Sequence, residues 1–128
     1  MTDEAGAPAV RVLVVDDHAD VRFLVRVVLS DAGLEVVGEA GTAAEAVEAL
    51  ELADPDVVVL DALMPVVDGF EAAGMLLERR PELPILLCSG VVDDEIRRRA
   101  FDTGIAACLP KDEVDRIPAA LLDLVGRG

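Results

Sequence analysis

Acidic side chains follow two apolar segments of the chain, at the points where the segments end. Asp61 comes directly after residues 57–60, and Asp16 and Asp17 come directly after residues 10–15. Short apolar segments bounded by turn residues predict buried parallel strands, and ligands of open α/β sheets bind outside the carboxyl ends of such strands. If the first and third strands are neighbours, the three carboxylates converge at one end of the sheet. Their mutual repulsion raises their pKa values unless a cation lies between them.

The residue types at this end of the sheet predict a site for a hard divalent ion. Carboxylate oxygens favour Mg²⁺, which proteins hold with one or two carboxylates and several waters. His18 is the only histidine of the chain, which argues against a zinc site and against Ser/His or Cys/His nucleophilic catalysis. Cys88 and Cys108 both fall in apolar segments, so we expect two reduced, buried thiols.

Two further residues predict that the site handles a phosphoryl group. Lys111 is the only lysine of the chain, and its compact charge can pair first with Asp61 and then with a phosphoryl oxygen. Ser89 ends the predicted fourth strand, where its hydroxyl could bond a phosphoryl oxygen. Aspartate carboxylates can act as nucleophiles toward phosphorus, and a metal and a lysine stabilise the charge on the transferring group. We therefore predict phosphoryl transfer to Asp61.

The elements that position these residues alternate between apolar strands and amphipathic helices, which indicates an α/β fold with a parallel sheet. The predicted strands cover residues 10–15, 35–39, 56–60, 85–88 and 105–109. Pro110 follows the fifth strand directly. Because proline lacks the backbone N–H that a central strand needs, we expect this strand at an edge of the sheet.

Five helices are predicted, one after each strand. Helix one places apolar residues at helical spacing toward the sheet, namely Val21, Leu24, Val25, Val28 and Leu29. Helix two begins at Thr42, whose spacing to Glu45 predicts a capping box. Helix five is predicted to begin with Asp115 as its cap and Pro118 in its first turn.

The aromatic and cationic residues of the helices are interpreted as structural. Phe23, Phe70 and Phe101 occur at helical spacings and are predicted core residues. Residues 97–99 are arginines, and each follows an acidic residue by four positions. This spacing predicts three ion pairs along a solvated helix face.

Length and charge restrict the classes of function. A chain of 128 residues predicts one domain, here residues 9–126, with an unstructured lead at 1–8 and a chain end at 127–128. The net charge of −15 repels phosphate backbones and argues against direct nucleic-acid binding. The chain has no apolar run of the roughly 18 residues that a membrane span requires and no signal-peptide pattern, so we expect a cytoplasmic protein without membrane contact.

Together these residues resemble the receiver domain of bacterial two-component response regulators, from Val10 to Val125. The resemblance is carried by Val-Asp-Asp at 15–17, by Asp61 with Met64-Pro65 and Asp68-Gly69, by Ser89-Gly90 and by Leu-Pro-Lys at 109–111. It implies a flavodoxin-like fold, in which a five-stranded parallel sheet of order 2-1-3-4-5 carries helices on both faces.

The resemblance also implies roles for individual residues. Asp61 is the expected phosphoacceptor, and Asp16, Asp17, Asp61 and the main-chain carbonyl of Leu63 are the expected Mg²⁺ ligands. Ser89 and Lys111 are expected to contact the phosphoryl group. The implied donor is a sensor histidine kinase or a phosphotransfer protein. A downstream protein partner is expected to bind the face formed by helix four, strand five and helix five.

Two departures from the family pattern affect the switch. Cys108 stands three residues before Lys111, where the family usually has an aromatic residue that couples to phosphorylation. Leu63 and Val91 are apolar at positions where polar side chains often orient the hydrolytic water. We therefore expect a long-lived phosphoryl group.

Three alternatives stand beside this interpretation. Asp16 and Asp17 could simply cap helix one. A degenerate receiver could act as a binding scaffold without phosphorylation. A phosphatase of the haloacid dehalogenase type also uses a nucleophilic aspartate and Mg²⁺, but Leu63 replaces its second aspartate. We predict no enzymatic activity beyond phosphorylation and dephosphorylation of the chain itself.

Overall fold

The computed structural model describes residues 8–126, so residues 1–7 of the predicted lead and the predicted chain end at 127–128 lie outside the described residues. The strands are β1 (Arg11–Val15), β2 (Glu35–Ala40), β3 (Val57–Asp61), β4 (Ile85–Ser89) and β5 (Ala107–Pro110). The helices are α1 (Ala19–Asp31), α2 (Ala43–Ala53), α3 (Gly69–Arg79), α4 (Asp94–Thr103) and α5 (Ile117–Leu124), with a short 3-10 turn at Val114–Arg116.

The five strands form one sheet in the order β2-β1-β3-β4-β5, and every neighbouring pair is parallel. The predicted fold is confirmed, including the edge position of the fifth strand, although Pro110 is the last residue of that strand and does not follow it. β3 is the central strand and all five of its residues are buried. Because the strands are parallel, the carboxyl ends of β1, β3, β4 and β5 lie at the same end of the sheet.

Helices cover both faces of the sheet. On one face α2, α3 and α4 contribute Leu50, Leu76 and Ala100 to a buried cluster. On the other face α1 and α5 contribute Leu29 and Leu121 to a second cluster. Successive residues of each strand point to opposite faces, so the apolar run of β3 supplies both clusters and is buried on both sides.

Local signals account for several helix ends. Thr42 Oγ1 accepts a hydrogen bond from the Glu45 backbone N–H at 3.1 Å. Glu45 Oε1 in turn accepts the N–H of Gly41 at 2.8 Å, so the predicted capping box forms with its return bond one residue earlier than usual. Gly33, just after α1, adopts φ 84°, the left-handed conformation that glycine tolerates best.

The structure corrects several predicted boundaries, among them those of β3, β5 and α5. β3 extends one residue further than expected, so Asp61 is the last residue of the strand and its backbone is held in the sheet. β5 covers Ala107–Pro110 and begins two residues later than predicted. Asp115 lies inside the 3-10 turn and does not cap α5, which begins at Ile117, although Pro118 lies in its first turn as predicted.

Two of the three predicted phenylalanine core positions are wrong. Phe70 is buried, but the exposed fractions of Phe23 and Phe101 are 66% and 82%. Leu24, which was predicted to face the sheet, is also exposed, whereas Val25 and Leu29 form the buried contact of α1. The helical period therefore identified the correct stripe on α1 but made it too wide.

The predicted ion pairs along α4 are also wrong. Among the described residues, the arginines at 97–99 form no ion pair with the acids four positions earlier. Asp93 instead caps α4, because its Oδ1 accepts the Ile96 N–H at 2.9 Å. Arg99 lies 4.0 Å from the centre of the Phe70 ring and 3.6 Å from Asp68 Oδ2, so it joins α4 to the start of α3.

Within residues 8–126, none of the helices is both long enough and apolar enough to cross a membrane.

Candidate functional site

Asp61 lies at the carboxyl end of the central strand with its side chain almost completely buried. Lys111, which follows β5, places Nζ 2.7 Å from Asp61 Oδ1. The backbone N–H of Leu63 donates to the same oxygen at 3.1 Å. Asp61 Oδ2 is buried and accepts no hydrogen bond from any described residue. One carboxylate oxygen is therefore fixed and the other is free.

Burial sets the direction of the pKa shift of Asp61, whereas pairing sets the direction of the shift of Lys111. Burial raises the pKa of Asp61, the hydrogen bonds from Lys111 and Leu63 lower it, and the charge of Asp16 raises it again, with a net increase. Burial lowers the pKa of Lys111, but the hydrogen bond and charge of Asp61 outweigh this and the net shift is upward. Additional positive charge would therefore stabilise the ionised form of Asp61.

Asp16 and Asp17 follow β1 and approach Asp61 from the neighbouring strand. Asp16 is buried and Asp17 is half-buried. Asp16 Oδ1 accepts the backbone N–H of His18 at 2.9 Å. The N-cap residue of α1 is His18, so neither carboxylate occupies the capping position that the alternative interpretation required.

Four side chains converge at the carboxyl end of the sheet. One ligand atom from each of Asp16, Asp17, His18 and Asp61 lies within 4.8 Å of all the others. Asp17 Oδ1, like Asp61 Oδ2, is buried without a hydrogen-bond partner in the described chain. A cluster of three carboxylates, in which two oxygens lack a hydrogen-bond partner, fits a divalent cation with oxygen ligands, and the predicted Asp16, Asp17 and Asp61 are the residues that could hold it.

An arginine that the sequence analysis missed supports the end of β1. Arg22 on α1 donates from Nη1 to the backbone carbonyl of Asp16 at 2.6 Å and from Nε to Glu39 Oε1 at 3.2 Å. Arg26, one turn later, donates from Nε to Glu39 Oε2 at 2.8 Å. The hydrogen bond from Arg26 is the main reason that the pKa of Glu39 is lowered, despite the opposing effect of burial. This network ties α1 and β2 to the backbone that carries Asp16.

Gly69 allows α3 to begin directly against the strand that carries Asp61. A Cβ atom on Gly69 would lie 2.2 Å from the Asp61 carbonyl oxygen and 2.7 Å from the Cα of Ala62. The Gly69 N–H donates to the Ala62 carbonyl at 3.0 Å. Asp68 caps the helix by accepting the Glu71 N–H at 2.9 Å. The Asp-Gly pair therefore positions α3 and does not contact the carboxylate cluster itself.

Ser89 is buried at the end of β4, on the strand beside Asp61. No hydrogen bond joins its side chain to Asp61 or Lys111 within residues 8–126, although the Lys111 N–H donates to the Ser89 carbonyl at 2.9 Å. Ser89 lines a cleft together with Leu63 and Val91, whose exposed fractions are 71% and 65%. The structure thus brings Asp16, Asp17, Asp61 and Lys111 together and places Ser89 at the rim.

Both cysteines are free thiols. Cys88, beside Asp61 in the sheet, is buried, and burial together with the charge of Asp61 raises its pKa to about 12. Cys108 is only half-buried and, like Ile96 of α4, packs against one of the two buried clusters. The side chain at the position of the usual aromatic residue therefore reaches the core but is too small to fill the space of a ring.

Comparison with known proteins places this geometry in a family. A family model described as the response regulator receiver domain matches residues 12–122. The transcriptional regulatory protein PdtaR of Mycobacterium tuberculosis is 37% identical over 124 residues, which cover 97% of this chain and 57% of PdtaR. Protein-glutamate methylesterase/protein-glutamine glutaminase 4 of Geobacter metallireducens is 41% identical over 108 residues, which cover 81% of this chain and 31% of that protein.

A solved structure agrees with the sequence relatives. The signal receiver domain of the putative response regulator NarL from Mycobacterium tuberculosis superposes with a TM-score of 0.81 at 39% identity, over 93% of this chain and 98% of that chain. In contrast, the chain spans only 31% and 57% of the lengths of the two curated relatives.

Proposed function

Because the chain belongs to the receiver domain family of two-component response regulators, whose members are phosphoacceptor signalling switches, we propose that Asp61 is its phosphoacceptor. The observation that supports this most directly is the free Oδ2 of Asp61, which is buried without a hydrogen-bond partner in the described chain. Lys111 and Leu63 hold Oδ1, so Oδ2 is the oxygen available for attack. The family match does not favour the phosphatase or scaffold alternatives.

The proposed reaction takes a phosphoryl group from a phosphorylated histidine of a sensor kinase or a phosphotransfer protein. Asp61 Oδ2 attacks phosphorus, an O–P bond forms, and the P–N bond to the donor imidazole breaks with its electron pair passing to nitrogen. The product is an acyl phosphate. Lys111 can move its charge from Asp61 Oδ1 to a phosphoryl oxygen, and the hydroxyl of Ser89 can donate to another, so both stabilise the transferred charge.

We propose that Asp16, Asp17, Asp61 and the main-chain carbonyl of Leu63 hold Mg²⁺, as receiver domains generally do in an acidic pocket. When bound, Mg²⁺ supplies positive charge to the carboxylates and to the phosphoryl oxygens. The convergence of ligand atoms within 4.8 Å supports this assignment. It also explains why the chain tolerates a carboxylate cluster at the end of a buried strand.

The phosphoacceptor is tested by incubating the protein with Mg²⁺ and acetyl phosphate and measuring its intact mass. We expect the wild type to gain one phosphoryl group and the Asp61→Asn variant to gain none. Asp102→Asn, which alters an exposed carboxylate of α4, is the matched control and should behave as wild type. A wild type without an adduct, or an adduct that persists in Asp61→Asn, would contradict the proposal.

We also expect the phosphoryl group to be long-lived, because the exposed side chains of Leu63 and Val91 offer no polar group to orient an attacking water. The decay of the intact-mass adduct after removal of acetyl phosphate measures this lifetime. Leu63→Asn should shorten it by about tenfold, because an amide that only orients water contributes less than the roughly 10²–10⁴-fold of a positioned general acid or base. Equal decay rates in wild type and Leu63→Asn would show that the apolar residue does not set the lifetime.

Partners of the chain belong to the same proposal. The family implies a histidine kinase or phosphotransfer protein as donor, and we propose the face of α4, β5 and α5 as the surface for a downstream protein. The exposed Phe101 on α4 supports this, since exposed aromatic side chains favour protein contacts. The net charge of −15 speaks against direct binding to nucleic acid. We propose a cytoplasmic location on family membership alone, and no catalysis beyond the chain's own phosphorylation and dephosphorylation.

A further inference from the structure

We propose that His18 is a nitrogen ligand of the metal site and raises the affinity of the site for borderline transition ions such as Ni²⁺ and Cu²⁺ relative to its affinity for Mg²⁺. This inference rests on the proposed function, because it assigns a further ligand to the cation site of the phosphoacceptor. It adds a nitrogen ligand to a site that the sequence predicted to have oxygen ligands alone, where the single histidine argued only against zinc among the metals. No second histidine accompanies this imidazole, but the three carboxylates supply the remaining ligands.

The position of the imidazole carries the proposal. His18 Nδ1 lies 3.2 Å from Asp16 Oδ1, a contact that also has hydrogen-bond geometry, and 3.1 Å from Asp17 Oδ1. Two ligands that each lie about 2.1 Å from one ion at a right angle are roughly 3.0 Å apart. The spacings of Nδ1 from both carboxylates therefore match those of atoms that share one ion. The approach to Asp17 Oδ1 lacks hydrogen-bond geometry, since this oxygen has no hydrogen-bond partner among residues 8–126.

Two further observations indicate that this cluster of side chains binds an ion. The side chain of Asp61 is only 1% exposed, and its Oδ2 is buried without a hydrogen-bond partner in the described structure. His18 occupies the N-cap position of α1, but its side chain makes no capping hydrogen bond. The imidazole is thus not engaged by the helix and is directed at the carboxylates.

The class of metal follows from the ligand types. Carboxylates and carbonyls suit Mg²⁺ and Mn²⁺, whereas an imidazole suits Ni²⁺, Cu²⁺ and Zn²⁺. Mg²⁺ gains little from a nitrogen ligand because it is hard and keeps its waters. His18 should therefore increase the affinity for transition ions far more than the affinity for Mg²⁺.

Electron paramagnetic resonance of the Cu²⁺ complex tests direct ligation. The untagged chain contains one histidine, so labelling histidine with nitrogen-15 changes a single imidazole. If an imidazole nitrogen binds the metal, the nitrogen coupling pattern of Cu²⁺ changes between protein with natural histidine and protein with labelled histidine. Copper bound elsewhere, for example at the terminal amine, is insensitive to this label. An isotope-independent spectrum would overturn the proposal.

Affinity measurements by isothermal titration provide the second test, with Ni²⁺ and Mg²⁺ titrated separately. In His18→Ala we expect the ratio of Ni²⁺ affinity to Mg²⁺ affinity to fall by about tenfold or more. The matched control is Asp20→Asn, an exposed carboxylate in the first turn of α1, which should leave the ratio unchanged. A ratio that is the same in wild type and His18→Ala would overturn the inference.

These results are independent of the phosphorylation assay. Both metal measurements are made without a phosphoryl donor, whereas the phosphoacceptor role of Asp61 is decided by the intact mass of wild type with Mg²⁺ and acetyl phosphate. An isotope-sensitive Cu²⁺ spectrum with no phosphoryl adduct would support His18 ligation and reject the phosphoacceptor. The reverse pair of results would reject His18 ligation alone.

Discussion

Alanine in place of Gly69 is expected to lower the free energy of unfolding by about 2–4 kcal/mol. The added Cβ would lie 2.2 Å from the Asp61 carbonyl oxygen and 2.7 Å from the Ala62 Cα. Both neighbours are backbone atoms, so no side-chain rotation relieves the contact. Either α3 must move away from the sheet or the end of β3 must shift, and the second outcome displaces Asp61 from Lys111.

Gly74, in the middle of the same helix, provides the matched control. A Cβ atom on Gly74 meets nothing within 4 Å, and alanine favours the helix over glycine by roughly 0.5–1 kcal/mol. Gly74→Ala should therefore stabilise the protein, whereas Gly69→Ala destabilises it. Because the chain contains no Trp or Tyr, urea unfolding is followed by far-UV circular dichroism. Equal stabilities for the two variants would show that Gly69 is not held against the Asp61 backbone.

The glycine illustrates what sequence reasoning captured. Asp68 and Gly69 were part of the motif that carried the family resemblance, but the sequence offered no physical reason for their pairing. The structure supplies it, because the close approach involves the backbone of Asp61 and Ala62. Asp61 and Lys111 could be paired in advance because each follows a predicted strand, and parallel strands bring such residues to one end of the sheet.

Residues that act across distant segments were not predictable in this way. Arg22 binds the Asp16 carbonyl and Glu39, which lies 17 positions further along the chain. Nothing in the spacing of a surface arginine distinguishes this contact from a solvated side chain. The prediction of which helix residues face the sheet was wrong for a related reason. Periodicity marked Phe23 and Leu24 as apolar, but whether a stripe two residues wider meets the sheet depends on how α1 is rotated, which only packing decides.

The small side chain of Cys108 could be recognised from the sequence, but its packing could not. Cys108 was recognised as a departure from the aromatic residue of the family. The structure places it half-buried against the same core cluster that Ile96 of α4 packs on, while Arg99 of that helix contacts Phe70 and Asp68 at the start of α3. Arg99 therefore links α4 to α3 by packing over the Phe70 ring. The sequence had instead predicted a solvated ion pair for this arginine.

The second prediction with a large effect concerns the stability of the protein when Asp61 has no metal bound beside it. In buffer containing EDTA, Asp61→Asn is expected to be more stable than wild type at pH 7, by an amount of the order of 1 kcal/mol. Burial raises the pKa of Asp61 above its ordinary value, so the fold favours the protonated form. Stability from this group is therefore fully present below the ordinary pKa and is lost as the pH rises through the raised pKa.

The pH dependence identifies the source of this difference. Near pH 3 both side chains are neutral and the two proteins should be close in stability, and the gap should open as the pH increases toward 7. Lys111 does not contribute to this change, because its pKa is raised from an already high value. Its stabilising charge is lost only when the pH rises through that raised pKa, far above this window. Urea unfolding by circular dichroism at each pH provides the measurement.

Adding Mg²⁺ should reverse the order of the two proteins. At a Mg²⁺ concentration of about 100 times its dissociation constant, the wild type gains roughly 2.7 kcal/mol, because the cation binds the folded carboxylates and relieves their repulsion. Asp61→Asn has lost one of the three carboxylates and should gain much less. Asp102→Asn should follow wild type in both buffers. A wild type that is the more stable protein in EDTA at pH 7, or two proteins that respond equally to Mg²⁺, would mean that burial and charge repulsion at Asp61 do not control the stability of this end of the sheet.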